Sequence, residues 1–252
     1  MTDDVREELG GVVRGAQALL GTLQAFGLRE ASPGVLAAPA SGAAPVQPAL
    51  FAPAAPGPEG GPEAGLQALR QELGECTRCK LHRKRRHIVF GEGDARARLL
   101  VAGEGPGADE DRSGRPFVGE AGQLLERILA AMGLGRERVY ICNVVKCRPP
   151  SNRQPEEDEV ATCAPFLERQ IEIIRPSHIL CLGATAARRL IGLEGPLGKV
   201  RGRFHDHPSG ARVMPTYHPA YLLRNPLDKK LVWDDVKQVM AELGLSAEGA
   251  KR

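Results

Sequence analysis

Apolar residues recur along this chain in two rhythms. Four short runs are apolar almost throughout: 98–103 (RLLVAG), 139–145 (VYICNVV), 178–183 (HILCLG) and 212–217 (RVMPTY). Such runs read as strands buried on both faces. Between them the spacing turns helical, over 122–133 (GQLLERILAAMG), 156–175 and 185–191, with further helices starting at Gly65 (GLQALRQELGECTRC) and covering 228–243. The alternation predicts an α/β domain, a three-layer α/β/α sandwich around a central, mostly parallel four-stranded sheet. Ligands of such sheets bind beyond the carboxyl ends of the strands. That rule gathers three segments: the glycine-rich turn after the first strand, Asn143 at the end of the second, and His218 after the fourth.

Upstream the pattern changes twice. Val5, Leu9, Val12, Val13, Ala16, Leu19, Leu20 and Leu23 fall at helical spacing, so residues 1–29 read as an amphipathic helix that packs on the main domain or docks a protein partner. Residues 30–64 are mostly Ala, Pro, Gly and Ser, a composition that buries too little to offset its ordering entropy and reads as a disordered linker. The domain itself is expected over 65–245, with a tail at 246–252.

Charge adds little at first, because the formal net charge is only +3. Its distribution says more. The run KLHRKRRH carries Lys80, Arg83, Lys84, Arg85 and Arg86, and KCRPPSNR carries Lys146, Arg148 and Arg153. Both adjoin cysteines, and together they read as one patch that tracks a phosphate backbone. No apolar run approaches the ~18 residues of a membrane span, and the acidic start MTDDVREELGG is unlike a signal peptide, so a cytoplasmic, nucleoid-associated protein is expected.

In that compartment paired cysteines point to metal ligation rather than disulfides. Cys142 and Cys181 lie inside expected strands and read as core residues. Cys76, Cys79, Cys147 and Cys163 lie in polar or turn-rich contexts. Four thiolates from separate segments suit a tetrahedral zinc or a 4Fe–4S cube. The wide interval between the last two is unlike a zinc ribbon and tilts the reading toward iron–sulfur, though spacing does not decide it.

The turn after the first strand reads GEGPGADED. Pro106 removes a donor that a phosphate cradle would use, and Asp109, Glu110 and Asp111 would repel phosphate, which argues against a nucleotide cofactor. A neutral planar ligand fits better. Phe117, in GRPFVGEAGQ, reads as a loop plug or a stacking platform for a base. Asn143 offers a donor and an acceptor together, as the edge of a base demands. His218, fixed before Pro219, is a candidate electrophile, and the loop after it places Leu222 and Leu223 as an apolar wedge beside Arg224.

These motifs in combination, GEGPGADED, GRPFVGEAGQ, YICNVVKCRPPSNR and HPAYLLRNP with the four cysteines, resemble the iron–sulfur uracil-DNA glycosylases, family 4 of their superfamily, over about residues 70 to 240. The resemblance implies one 4Fe–4S cluster on Cys76, Cys79, Cys147 and Cys163, and monofunctional hydrolysis of the deoxyuridine glycosidic bond in DNA; a monomer is expected. It places Glu104, Gly105 and Pro106 around uracil, Phe117 against its face, Asn143 on its polar edge and His218 at its O2. Gly105 stands where the best-known members carry an Asp, so a neighbouring carboxylate must position water, Glu104 first and Glu110 second. Arg83, Lys84, Arg85, Arg148, Leu222, Leu223 and Arg224 are expected on DNA. The stretch KCRPPSNRQPEED lacks the His of related cross-linking uracil binders, so turnover is expected. Two other readings compete: a non-catalytic nucleic-acid binder with a structural metal, and a redox-sensing iron–sulfur regulator, which gives Asn143 and His218 no role.

Overall fold

The structure, a computed structural model, describes residues 60–245. The expected N-terminal helix, nearly all of the linker and the tail lie outside the described residues. The four expected strands are present as β2 (Leu99–Gly103), β3 (Tyr140–Asn143), β4 (His178–Leu182) and β6 (Arg212–Thr216), and their mutual pairings are parallel. The strand count needs correction. Two further strands, β1 (Glu92–Gly93) and β5 (His205–Asp206), pair antiparallel with β3 and β6, giving a 6-stranded sheet ordered β1-β3-β2-β4-β6-β5. Each has two residues and no buried side chain, so it leaves no apolar run in the sequence and holds its edge through backbone bonds.

The helices among the described residues are α1 (Gly61–Leu73), α2 (Ala108–Ser113), α3 (Glu120–Ala131), α4 (Glu157–Ile174), α5 (Ala184–Ile191), α6 (Pro219–Arg224) and α7 (Lys229–Leu243). Helix α1 starts inside the expected linker, with Pro62 in its first turn, where the missing N–H has no intrahelical acceptor to lose. Alternation along each strand divides the interior in two. Leu100, Ala102, Cys142, Ile179, Cys181 and Val213 pack with α1, α4 and α5 through Leu69, Leu167 and Leu190. Leu99, Val101, Ile141, Leu180, Leu182 and Met214 pack with α3, α6 and α7 through Leu125, Leu222 and Val236. Helices thus cover both faces, and the carboxyl ends of the parallel strands are left to loops.

Candidate functional site

A cleft of about 770 Å³ opens at those carboxyl ends. Glu104, Gly105, Pro106 and Glu110, all downstream of β2, line one side. Phe117, Asn143, His218 and Arg224 complete it. The residues expected around a planar ligand therefore share one cavity, drawn from segments far apart in the chain.

Its floor depends on a missing side chain. A Cβ at Gly103 would stand 2.5 Å from Asn143 Oδ1 and 2.5 Å from Phe117 Cζ, so only glycine lets both groups reach the strand end. Phe117 is 5% exposed and holds a left-handed backbone, φ 52°. The carbonyls of Pro116 and Phe117 accept from Arg136, Phe117 at 2.7 Å, which holds this strained turn. Asn143 is 1% exposed, and its Oδ1 is the buried side-chain oxygen without a hydrogen-bond partner among the described residues. An orphaned acceptor inside a cleft has a physical cost, and a ligand donor would remove it.

His218 caps α6. Its Nδ1 accepts the Ala220 N–H at 3.1 Å. Burial of the ring pulls its pKa down to about 4, against the opposing pull of Glu110, and Arg224 lowers it further. The imidazole is thus neutral at pH 7. With Nδ1 accepting, the proton sits on Nε2, which becomes a donor toward the cleft.

The two candidate carboxylates differ. Glu110 Oε1 accepts from Val118 N at 2.8 Å and Gly119 N at 2.9 Å, and Oε2 accepts from Gly107 N at 3.0 Å. Both oxygens are thereby engaged in tying the glycine-rich turn to the Phe117 loop. Glu104 is held by the Thr185 hydroxyl on Oε2, and Thr185 in turn accepts from Gln154 Nε2 at 3.0 Å. Its Oε1 makes no hydrogen bond within the described residues. Thr185 and Gln154 escaped the sequence reading because nothing local marks them as partners of Glu104.

The cysteine quartet also draws together. Cys76 and Cys79 are half-buried, while Cys147 and Cys163 are buried. Burial pushes the Cys147 thiol up to about 11, with Arg85 opposing and Cys163 and Cys79 adding to the shift. Cys163 feels Cys79 and Cys76 in the same way. Arg85 Nη1 donates to Cys147 Sγ at 3.4 Å, and Lys146 N donates to Cys163 Sγ at 3.3 Å. N–H donors on sulfur and nearby cations suit a negatively charged thiolate cluster. No three His, Cys, Asp or Glu side chains among the described residues gather as tightly as one metal ion needs. Cys142 and Cys181 are 0% exposed and lie on the core face of the sheet.

The basic patch is smaller than its sequence suggests. Arg83 and Lys84 are exposed, as is Arg224, and Arg148 is half-buried with Nε on Asn152 Oδ1 at 2.7 Å. Arg85 does not belong on a DNA-facing surface: its side chain is 8% exposed and donates to the Cys76 carbonyl and Cys147 Sγ. Lys146 is 0% exposed, and Arg153 is committed to Glu159 at 2.6 Å. The segment 222–224 is no loop but the end of α6. Leu222 is 1% exposed in the core and unavailable as a wedge, whereas Leu223 is 42% exposed and Leu227, overlooked in the sequence, 92%.

Comparison with known proteins bears on this arrangement. Residues 90–237 match the uracil DNA glycosylase superfamily. A type-4 uracil-DNA glycosylase of Thermotoga maritima is 47% identical over 176 residues, 69% of this chain and 92% of that protein. Those of Saccharolobus solfataricus and Sulfurisphaera tokodaii are 44% and 43% identical, over 71% and 69% of this chain and 86% and 83% of theirs.

Proposed function

The chain belongs to the uracil-DNA glycosylase superfamily as a type-4 member, and we propose a division of labour among its cleft residues in the reaction of that family. The enzyme hydrolyses the N-glycosidic bond of deoxyuridine in DNA, releasing uracil and leaving an abasic site. The observation that carries the assignment is the unpartnered Asn143 Oδ1. Uracil N3–H donates to that oxygen while Nδ2 donates to O4. Cytosine presents the opposite polarity at both positions and leaves each group unpaired, at about 1–3 kcal/mol per unmade bond.

The flipped base lies on Phe117. As the glycosidic bond lengthens, negative charge gathers on uracil O2, and neutral His218 donates from Nε2 toward it. Glu104, oriented by Thr185, holds water through Oε1 for attack on the sugar carbon; Glu110 supports the two loops instead. Arg83, Lys84, Arg148 and Arg224 contact phosphates, and Leu223 stands where the vacated stack must be filled.

Cys76, Cys79, Cys147 and Cys163 hold one 4Fe–4S cluster in this proposal, a reading supported by the sulfur-directed donors and the adjoining cations. The cluster braces the segments that carry the basic patch, since hydrolysis moves no electrons. Asn143→Ala tests the reading: uracil release slows while affinity for DNA persists, and unchanged uracil kinetics remove Asn143 from the site.

A further inference from the structure

Lys146 is among the largest fully buried side chains of the protein, and it forms no ion pair with a carboxylate among the described residues. Burying an amine this way is costly unless its protons are well used. Lys146 Nζ donates to the Asn143 carbonyl at 2.8 Å and to Gln170 Oε1 at 2.6 Å. Gln170, also 0% exposed, then donates to the Phe90 carbonyl at 2.9 Å and the Tyr140 hydroxyl at 3.1 Å. A polar chain thus runs from helix α4 through the core to the last residue of β3.

Its end point matters because of where the sheet stops. The peptide joining Asn143 to Val144 directs its N–H to the Gly103 carbonyl at 2.9 Å. In a trans peptide the Asn143 carbonyl then faces the opposite way, toward the β1 side. Strand β1 pairs only with Tyr140 and Ile141, so its ladder ends before Asn143. Lys146 supplies the donor that the sheet does not. With both sides of that peptide pinned, the Asn143 backbone is fixed, and so is the direction of its Cα–Cβ bond. That is what an amide with an orphaned Oδ1 requires, since a hydrogen bond to the protein does not aim that oxygen.

We propose that Lys146, anchored on Gln170, is a positioning residue that aims the Asn143 side chain at the polar edge of the base. The proposal rests on the base-reading role of Asn143 given above. Lys146 touches neither base nor sugar; it acts through Asn143. A purely structural role would lower stability without distinguishing uracil binding from DNA binding.

The full-length enzyme and its Asn143→Ala, Lys146→Met and doubly substituted forms separate these roles. Four quantities are measured: single-turnover uracil release, inhibition by free uracil, affinity for abasic DNA, and the melting temperature. Lys146→Met is expected to slow release and weaken uracil inhibition by about tenfold each, the scale of coupling between contacting residues. Affinity for abasic DNA should shift by less than about twofold, because phosphate contacts dominate it. The double substitution should be no slower than Asn143→Ala alone. Multiplying effects in the double form, or wild-type uracil affinity in a folded Lys146→Met, would overturn the proposal. If Lys146→Met does not fold, Gln170→Leu enters the same cycle with the same two readings. Normal uracil release by Asn143→Ala would instead overturn the base-reading role, and the proposal with it.

Discussion

The ring of Phe117 stacks on the imidazole of His218, with centroids 5.5 Å apart and planes 30° from parallel. In the proposed arrangement one ring supports both the base and the group that takes up the leaving charge. Phe117→Leu keeps the position apolar but removes the flat face. Base–aromatic stacking contributes about 1–3 kcal/mol per base, so kcat/KM should fall by roughly 5- to 150-fold and free uracil should inhibit more weakly. Unaltered inhibition by uracil counts against the stacking role.

The pKa of His218, about 4 by virtue of burial, makes two predictions about pH. His218 stays largely neutral across pH 5–8, so the single-turnover rate shows no step at the ordinary histidine value. The effect on stability has a definite sign. An unfolded histidine titrates near about 6.5, so the unfolded chain binds the extra proton between that value and 4, and stability is lost as pH falls through this window. His218→Gln should flatten that part of the curve. His218→Ala should slow single-turnover cleavage about a hundredfold, the scale of a lost oxyanion donor, with DNA affinity kept. An NMR titration placing the ring near its ordinary value would contradict the first prediction.

Arg85 and Lys84 are neighbours in sequence but not in environment, and they should separate in experiment. Arg85→Met removes the donor to Cys147 Sγ and should lower iron content and thermal stability. Lys84→Ala leaves the thiols alone and should reduce the salt slope of DNA binding by about 1. Iron content in purified protein and salt-dependent binding curves check both. The reverse assignment, with Arg85→Met changing only the salt slope, would place Arg85 on the DNA.

Substitution by Ala at Cys76, Cys79, Cys147 or Cys163 should abolish the visible absorbance of a bound cluster, while Cys142→Ala and Cys181→Ala should keep it at some cost in stability, since both lie in the core. Zinc in stoichiometric amount, without iron, after anaerobic purification contradicts the assignment of the group.

The sequence makes the four parallel strands legible because they are buried on both faces and read as unbroken apolar runs. It hides β1, β5 and α2, whose short lengths carry at most one buried residue each. Helix α6 was hidden too, since a single turn and a half around Leu222 resembles an exposed wedge as much as a packed helix. Charge misled in the same way: Lys146 and Arg85 look like members of a surface run, and only the fold shows them turned inward. Gln170 was within reach. It lies on the stripe Cys163, Leu167, Gln170, Ile171 and Ile174, and a polar residue on the apolar face of a helix signals a buried partner.

The most direct measurement is the structure of the enzyme with free uracil bound in the cleft. The ring is expected on Phe117, with N3 within hydrogen-bond distance of Asn143 Oδ1, O4 on Nδ2, and O2 facing His218 Nε2. Uracil bound with Asn143 Oδ1 still unpartnered, or with O2 turned away from His218, would contradict it.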